Sequence, residues 1–429
     1  MGITFTIADA PLRNGGAALR RALDPSQVRA PLARFLGADP NAIRVTVERT
    51  HFSASRPVTL HYRVATGDGD AGVPVLAELA GRQAEAHAVA EIARLSKSRR
   101  GQIPRGAKPG LQADPETGLV FRHPGLDAKL PGLKLLHDHA LAAEMAARAA
   151  ALPRRGLRVT PSLRAHRLGK RAVLQLDLHG SGSGRLFVRL RATSAASANA
   201  AYDRHREIAE ALEGVAGIEV PRPLHHDDEL GASFFAALPG TPPGFVALQG
   251  QVSGSAMAAS LAAILQHGPE TAAPYTVAEE QSLLHSWVDR LHGLLPDHAA
   301  LAAQALETAD EALQRLDPVA PRPCHRDFHE GQVLIDGRQA GVLDFDTYRL
   351  ADPGIDAGNM IAHLRLRALG GNWGIALAEK TFRMGMLPHA GPQRMAAWTR
   401  AALVRLGCIY AFTSRGPAAA PALFREAMR

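Results

Sequence analysis

Three polar residues in the C-terminal part of the chain have types and spacings that suit chemistry on a hydroxyl group. Gln332 follows Asp327 by five residues, and Asp344 follows the second of the two apolar runs that come next. A carboxylate can orient a hydroxyl or accept its proton, and an amide oxygen with a second carboxylate suits Mg²⁺. The set therefore suggests phosphoryl transfer, in which positioning and charge neutralisation supply most of the catalysis.

A predicted β-hairpin connects these residues. Residues 333–335 and 340–343 are apolar, Asp336-Gly337 lies between them as a turn, and the second run ends at Asp344. The Asp327–Gln332 spacing matches a kinase catalytic loop, and Asp344 precedes a Phe as in Asp-Phe-Gly. A surface hairpin with solvated acids is the alternative.

Two further acids, Asp352 and Asp356, follow where a helix is predicted to start. Asp352 precedes Pro353, which is typical of a helix N-terminus. A structural role is at least as well supported as a chemical one for both acids.

Residues 321–364 resemble the aminoglycoside phosphotransferase and choline kinase-like family. Its motifs His-Gly-Asp-Leu-His-x-Gly-Asn, Ile-Asp-Phe/Trp and Asp-Pro-x-x-Asp-Leu-Ala correspond to residues 325–332, 343–345 and 352–357. Arg326 replaces the usual Gly, and Gln332 replaces the Asn, as it does in maltokinase-like members.

This resemblance implies a bilobal kinase-like fold and ATP-dependent transfer to a hydroxyl of a small molecule. Asp327 is then the catalytic residue, while Gln332 and Asp344 hold Mg²⁺. His325 belongs to the same catalytic loop, where we expect it to support the loop rather than to react.

An internal repeat organises the rest of the chain. The order strand, Gly-containing turn, strand, helix, Ile/Val-Pro-Arg, hairpin, Pro-Gly occurs at about 30–130 and again at about 156–245. This order is typical of the small lobe of a kinase. Chance recurrence of two α+β segments is the alternative.

The predicted fold class is therefore α+β and bilobal, with a small antiparallel-sheet lobe and a mainly helical large lobe, preceded by a duplicated small-lobe-like domain. The predicted domains are residues 1–155 for the first copy, 156–245 for the working small lobe and 246–429 for the large lobe. The first copy can brace the working lobe, form a homodimer or bind a regulator.

The phosphate-clamping residue is predicted from the strand at 186–191. A kinase has a Lys there, paired with a Glu on the next helix, but this strand has none. Arg189 is the predicted substitute, with Arg191 as the alternative on the same face, and Glu207 is the predicted partner. The first copy has Glu78 at the matching place, which would repel phosphate.

Two further residues are predicted to contact the nucleotide. Lys170 follows Gly169 in a tight turn between strands, from which it can reach a phosphate. Leu238 lies in residues 237–240, the predicted hinge between the lobes, where the adenine would bind.

Composition fits a soluble cytoplasmic enzyme. The 429 residues are 46% apolar with a formal charge of +8, and the two cysteines, Cys324 and Cys408, are too few for a disulfide framework. We find neither an apolar run of about 18 residues nor a signal peptide. The basic patch at 97–100, with Arg105, lacks interleaved aromatics, so no nucleic-acid partner is predicted.

The predicted activity is ATP- and Mg²⁺-dependent phosphorylation of a sugar-like molecule, an aminoglycoside or an amino alcohol. The alternative is a nucleotide-binding pseudokinase that acts as a scaffold. The missing Lys favours the scaffold, whereas the three polar residues Asp327, Gln332 and Asp344 favour the enzyme.

Overall fold

The computed structural model describes residues 15–53, 56–67, 70–96, 102, 110–192 and 195–429. The basic patch at 97–100 and Arg105 lies outside these residues. Contacts group the chain into two compact units. The first unit comprises Met1–Tyr202, Leu224–Ala236 and Phe412–Ser414; the second unit comprises Asp203–Pro223, Ala237–Ala411 and Arg415–Arg429. The three domains predicted from the sequence stay a prediction.

The first unit begins with two helices and an antiparallel sheet. Its elements are α1 (Gly15–Leu23), α2 (Pro25–Leu36), β1 (Arg44–His51), β2 (Thr59–Ala65), β3 (Val73–Leu79), α3 (Ala84–Leu95), β4 (Leu111–Asp114) and β5 (Leu119–Arg122). The first sheet has the order β1-β2-β3-β5-β4. Small and apolar residues of α3, among them Ala84, Ala88 and Leu95, pack with Leu111 and Val120 of the sheet.

A second antiparallel sheet completes this unit. The elements in this part of the chain are α4 (His139–Ala150), β6 (Leu157–Arg167), β7 (Arg171–Gly180), β8 (Gly184–Arg191), α5 (Ala195–Ala211), β9 (Ile218–Glu219), β10 (Pro223–Asp227) and β11 (Ala232–Ala236). The second sheet has the order β10-β11-β8-β7-β6, so β9 is not part of it. Leu186, Val188 and Leu190 lie on one face of β8, alternating with Phe187 and Arg189, and join the alanines of α4 in one core.

The two sheets therefore have the same topology. In each, three consecutive strands pair in order, a helix follows the third strand, and the last strand of the next hairpin pairs with the third strand. The repeat predicted from the sequence is present as two equivalent five-stranded sheets.

The second unit is mainly helical. Its remaining elements are α6 (Gln249–His267), α7 (Val277–Leu294), α8 (Ala299–Gln314), β12 (Arg322–Cys324), β13 (Val333–Asp336), β14 (Gln339–Val342), β15 (Arg349–Ala351), α9 (Gly354–Ala368), α10 (Trp373–Ala390), α11 (Pro392–Ala411) and α12 (Gly416–Ala427). The predicted hairpin is confirmed as β13 and β14, which pair antiparallel, and β14 also pairs parallel with β9.

Glycines let α9 approach α11 closely. An added Cβ at Gly358 would lie 2.4 Å from the carbonyl carbon of Trp398, so no larger residue fits without a shift of the backbone. This contact fixes the helix that carries Asp356 and Asn359, two residues that hold the candidate site.

The two sheets and the helical unit together confirm the α+β, kinase-like fold class. Across the part of the chain that the structure describes, every helix is too short or too polar to cross a bilayer.

Candidate active site

His325 links the two loops that carry the predicted catalytic and metal-binding residues. Its ring is buried, with Nε2 2.8 Å from the carbonyl oxygen of Leu343 and Nδ1 3.3 Å from the backbone nitrogen of Asp327. Because a carbonyl only accepts and a backbone N–H only donates, these contacts select the neutral imidazole with its proton on Nε2. His325 therefore positions the loop of Asp327 against the strand end that precedes Asp344.

Helix α9 holds the catalytic loop from the other side. Asp356 is fully buried and accepts a hydrogen bond from the backbone nitrogen of His325 at 2.7 Å, while Asn359 donates to the carbonyl oxygen of Phe328 at 3.1 Å. Burial raises the pKa of Asp356, although hydrogen bonds from the loop oppose the shift. Asp352 accepts from the backbone of Gly354 at 2.8 Å. Both acids thus have structural contacts.

The backbone conformation of Arg326 explains why the family that this segment resembles usually has Gly at this position. Its φ is +66°, in the left-handed region that costs a residue with a Cβ roughly 1–2 kcal/mol. The guanidinium carbon lies 3.2 Å from the ring centroid of Tyr275, and the Tyr275 hydroxyl donates to Glu280 at 2.9 Å. We infer that this stacking offsets part of the backbone cost.

Gln332 and Asp344 lie on adjacent backbone segments. The backbone nitrogen of Leu343 donates to the carbonyl oxygen of Gln332 at 2.9 Å. Asp344 has φ +63° and starts the short helical turn Phe345–Thr347, whose Phe345 ring lies 4.7 Å from that of His325. Both side chains offer oxygen atoms, the donor type that Mg²⁺ requires, and an acid held at positive φ is typical of a functional position.

Leu238 also lies against the hairpin that connects Gln332 with Asp344. Thr241 exchanges backbone hydrogen bonds of 3.0 and 2.7 Å with Ile335 of β13. An added Cβ at Gly341 would lie 2.8 Å from Leu238 Cδ1, so Leu238 packs on the strand that leads to Asp344. The second unit therefore brings five predicted residues onto the catalytic loop and its hairpin: His325, Asp327, Gln332, Asp344 and Leu238.

The other three predicted residues are distributed differently. Glu207 lies on α5 in the second unit, is exposed and accepts from the Thr271 hydroxyl at 3.1 Å. Arg189 and Lys170 belong to the first unit. Arg189 stands opposite Ser233, with its guanidinium carbon 5.9 Å from the Phe235 ring centroid. The pairing of Arg189 with Glu207 and a contact of Lys170 with nucleotide stay predictions.

Arg405 on α11 is a residue that sequence reasoning missed. It is half-buried and donates to Glu280 at 2.5 Å and to Asn359 at 2.8 Å. Burial opposes its charge, but the nearby Glu280 and Asp327 carboxylates outweigh burial and raise the pKa of Arg405. It therefore places a fixed positive charge near the predicted catalytic acid. Its distance along the chain from Asp327 left no local signal in the sequence.

A second missed group surrounds Glu330 in the catalytic loop. Glu330 lies within 3.7 Å of His329 and 3.6 Å of His363, and Arg367 donates to it at 2.5 Å. Burial lowers the pKa of His363 to about 3, so this imidazole is neutral at pH 7.

The same group has the residue types of a metal site, but its geometry is unsuitable. The rings of His329 and His363 are stacked at 4.3 Å with an angle of 11° between their planes. Lone pairs in parallel ring planes do not converge on one ion, and Nδ1 of His329 already accepts from Gly331 at 3.1 Å. We interpret the group as polar contacts beside the catalytic loop.

The kinase-like fold, with the segments of Asp327, Gln332 and Asp344 joined by hydrogen bonds, fits the class of phosphotransferases. Residues 175–398, just over half of the chain, match the model of the phosphotransferase enzyme family. The chain belongs to this family and is a phosphotransferase. No curated protein matches it in sequence.

Several solved structures are similar in fold. One is a thermostable variant of an aminoglycoside phosphotransferase bound to AMP-PNP and hygromycin B, with 14% identity, 63% of this chain and 94% of that chain covered, and a TM-score of 0.47. A proposed fructosamine-3-kinase from Thermobifida fusca has 20% identity, 67% and 99% coverage and a TM-score of 0.42. An amicoumacin kinase with AMP-PNP and Ca²⁺ has 13% identity, 69% and 95% coverage and a TM-score of 0.43.

Proposed function

We propose that this protein transfers the γ-phosphate of ATP to a hydroxyl of a small molecule with the help of Mg²⁺. The observation that carries the proposal is the hydrogen-bonded junction of the two loops. The His325 ring bonds the Leu343 carbonyl, and the Leu343 nitrogen bonds the Gln332 carbonyl, so the segments of Asp327, Gln332 and Asp344 are held together. Membership of the phosphotransferase family supports the reaction type.

Each residue has a defined role in this proposal. Asp327 accepts the proton of the acceptor hydroxyl while the hydroxyl oxygen attacks the γ-phosphorus and ADP leaves. Gln332 and Asp344 would hold Mg²⁺, which neutralises charge on the phosphate oxygens when bound. Arg189, oriented by Glu207, and Lys170 would contact phosphates, and Leu238 would contact the adenine.

The acceptor is proposed to be a sugar-like alcohol, with an aminoglycoside or amino alcohol as the next candidates. Gln332 is the residue found in maltokinase-like members of the family. We place the reaction in the cytoplasm, where ATP is available and the buried Cys324 and Cys408 stay reduced.

The experiment is ATP consumption by the purified chain across a panel of sugars, aminoglycosides and amino alcohols. We expect turnover with one class, and Asp327→Ala should lower kcat by roughly 10²–10⁴-fold, the usual contribution of general base catalysis. Turnover that persists unchanged in Asp327→Ala would overturn the assignment.

The pseudokinase alternative is favoured by Arg189, which stands where kinases have Lys. A thermal shift with ATP, with and without Mg²⁺, separates the two readings when run beside the activity panel. An enzyme should gain stability that depends on the metal and is lost in Asp344→Asn. Binding of ATP without any turnover on the panel would favour the scaffold.

A further inference from the structure

The first unit contains a cavity of about 250 Å³ that no residue of the catalytic loop or its hairpin lines, although Lys170, a proposed nucleotide contact, borders it. Its described lining comes from the end of β1 and the chain after it, the first sheet with α3, the chain after β5 at 127–129, and the turn between β6 and β7 at 167–170. All of these residues belong to the first unit. The volume is slightly below the range of ordinary small-molecule pockets, which begins at about 300 Å³.

The acids that line this cavity already have partners inside the protein. Glu78 binds the guanidinium of the buried Arg122 and lies 3.0 Å from His87. Glu91 binds Arg122 at 3.3 Å and Arg94 at 2.8 Å. These carboxylates are therefore neutralised before any ligand enters.

Asp127, the third acid, is satisfied mainly by backbone groups. It accepts hydrogen bonds from the nitrogens of Lys129 at 2.9 Å and Gly169 at 2.5 Å, and it lies 3.3 Å from the buried His166. Burial would raise the pKa of Asp127, but His166 and these backbone groups outweigh burial and lower it. Asp127 thus fixes the Gly169 turn and, among the described contacts, forms no ion pair with the side chains of Arg56, Lys129 or Arg167.

Cationic side chains converge on that turn. An added Cβ at Gly169 would lie 2.5 Å from Arg56 Nη1 and 3.7 Å from Lys129 Cδ, and Arg56 donates to the Gly169 carbonyl. Arg167 and Lys170 flank Gly169 in the lining. Within the described residues, no carboxylate pairs with Arg56, Lys129 or Arg167, and the half-buried Arg167 guanidinium makes no hydrogen bond there.

The neighbouring titratable groups show the same excess of positive charge. Burial lowers the pKa of Arg167, and the cations Arg171, Arg56 and Arg49 lower it further. Burial and the charge of Arg167 lower the pKa of His51, which also lines the cavity, to about 2. An anion in the cavity would relieve this repulsion.

We propose that the cavity binds the phosphate group of a small phosphorylated molecule, with Arg56, Lys129 and Arg167 holding the phosphate over the Gly169 turn. Guanidinium groups suit phosphate because their N–H donors form charge-assisted pairs with its oxygens. The small volume favours pyrophosphate or a short phosphate ester over a whole nucleotide. The site goes beyond the proposed reaction. No residue of the catalytic loop or its hairpin lines it, and Lys170, which the proposed reaction assigns to the nucleotide, is not one of the three residues proposed to hold this phosphate.

The test is isothermal titration of the full chain with inorganic phosphate, pyrophosphate and ribose 5-phosphate, in EDTA so that metal-dependent binding of ATP is absent. We expect one of the three to bind, and the comparison separates free phosphate from an ester. Arg167→Gln should weaken binding by about tenfold or more, the usual loss for a charge-assisted hydrogen bond. Arg158→Gln on the same strand is the matched control, because Arg158 is exposed and does not line the cavity.

Arg167→Lys keeps a positive charge and should retain part of the affinity, which guards against loss of folding as the cause. ATP–Mg²⁺ affinity should stay within about twofold in Arg167→Gln, so this result is independent of the proposed reaction. The proposal is overturned if none of the three ligands binds at millimolar concentration, or if Arg167→Gln binds as well as Arg158→Gln.

Discussion

The two sheets of the first unit have the same strand order but opposite charges at one equivalent position. Glu78 on β3 stands opposite Val120, and Arg189 on β8 stands opposite Ser233. Val120 and Ser233 are each the second residue of the strand after the hairpin turn. Glu78 and Arg189 are therefore equivalent in register, although one is an acid and the other a base.

The residues diagonal to Glu78 and to Arg189 also differ between the two sheets. Arg122 lies two residues beyond Val120, and Phe235 lies two residues beyond Ser233. The first sheet thus has an ion pair between Glu78 and Arg122, whereas the second has a guanidinium over the Phe235 ring. A kinase needs a cation on this strand to contact phosphate, so only the second sheet has the charge for that role. The shared topology gives both sheets this strand position, and the identity of the side chain there determines whether the position can contact phosphate.

The largest effect is expected from Arg122→Ala. The Arg122 side chain is 1% exposed and pairs with both Glu78 and Glu91. Its removal leaves the buried Glu91 and the half-buried Glu78 with only Arg94 and His87 as partners. Breaking a buried ion pair typically costs about 3–5 kcal/mol. Urea denaturation of the full chain, followed by circular dichroism, should show this loss as a lower unfolding midpoint.

A charge exchange is the control for this prediction. Arg122→Phe alone should lower the free energy of unfolding as much as Arg122→Ala does. Adding Glu78→Arg then places an arginine diagonal to a phenylalanine, as Arg189 and Phe235 are in the second sheet, and gives Glu91 a new cation. We expect the double variant to recover about 1–2 kcal/mol. Additive losses from the two substitutions would show that the two registers are not equivalent.

The next largest effect is expected from Arg189→Ala in the second sheet. If Arg189 contacts phosphate, its removal should lower kcat/KM for ATP about a hundredfold, or ~2.7 kcal/mol of transition-state stabilisation. Arg189→Lys should keep most of the activity, because kinases use Lys at this place. Arg185→Ala on the same strand is the control, since Arg185 is exposed and pairs with Asp177. Equal activities of Arg189→Ala and Arg185→Ala would remove Arg189 from the site.

Four of the predicted site residues, His325, Asp327, Gln332 and Asp344, lie close together in the sequence. The catalytic loop at 325–332 is contiguous, and its hairpin follows at once, so spacing alone places Asp327 near Asp344. Turn chemistry and alternating apolar residues likewise predicted both copies of the sheet. Strand register, however, depends on pairing across the sheet. For that reason Glu78 was predicted only to repel phosphate, and its neutralisation by Arg122 had no sequence signal.

Contacts between distant segments were also beyond the sequence. Arg405 meets Asn359 and Glu280 through the packing of three helices. Arg56 reaches the Gly169 carbonyl across more than a hundred residues of chain. Neither contact follows from periodicity, because each depends on the shape of a core that forms first.

The smallest expected effect is a dependence of stability on pH that belongs to the first sheet. Burial would raise the pKa of Glu78, but the hydrogen bond with His87 and the charge of Arg122 outweigh burial and lower it below its ordinary value of 4.5. A carboxyl whose pKa is lower in the folded state binds fewer protons there than in the unfolded chain. Its stabilising contribution is therefore complete above about pH 4.5 and is lost as the pH falls through the folded-state pKa.

Glu78→Gln removes this titration. We expect the difference in free energy of unfolding between wild type and Glu78→Gln to have its full value above about pH 5 and to shrink towards pH 3, as measured by urea denaturation at each pH. Val120→Ala, which changes the uncharged residue opposite Glu78, should cost the same at every pH. If the free energies of unfolding of wild type and Glu78→Gln change with pH in parallel, the Glu78–Arg122 ion pair makes no pH-dependent contribution to stability. That ion pair would then not be the charged contact that distinguishes the first sheet from the second.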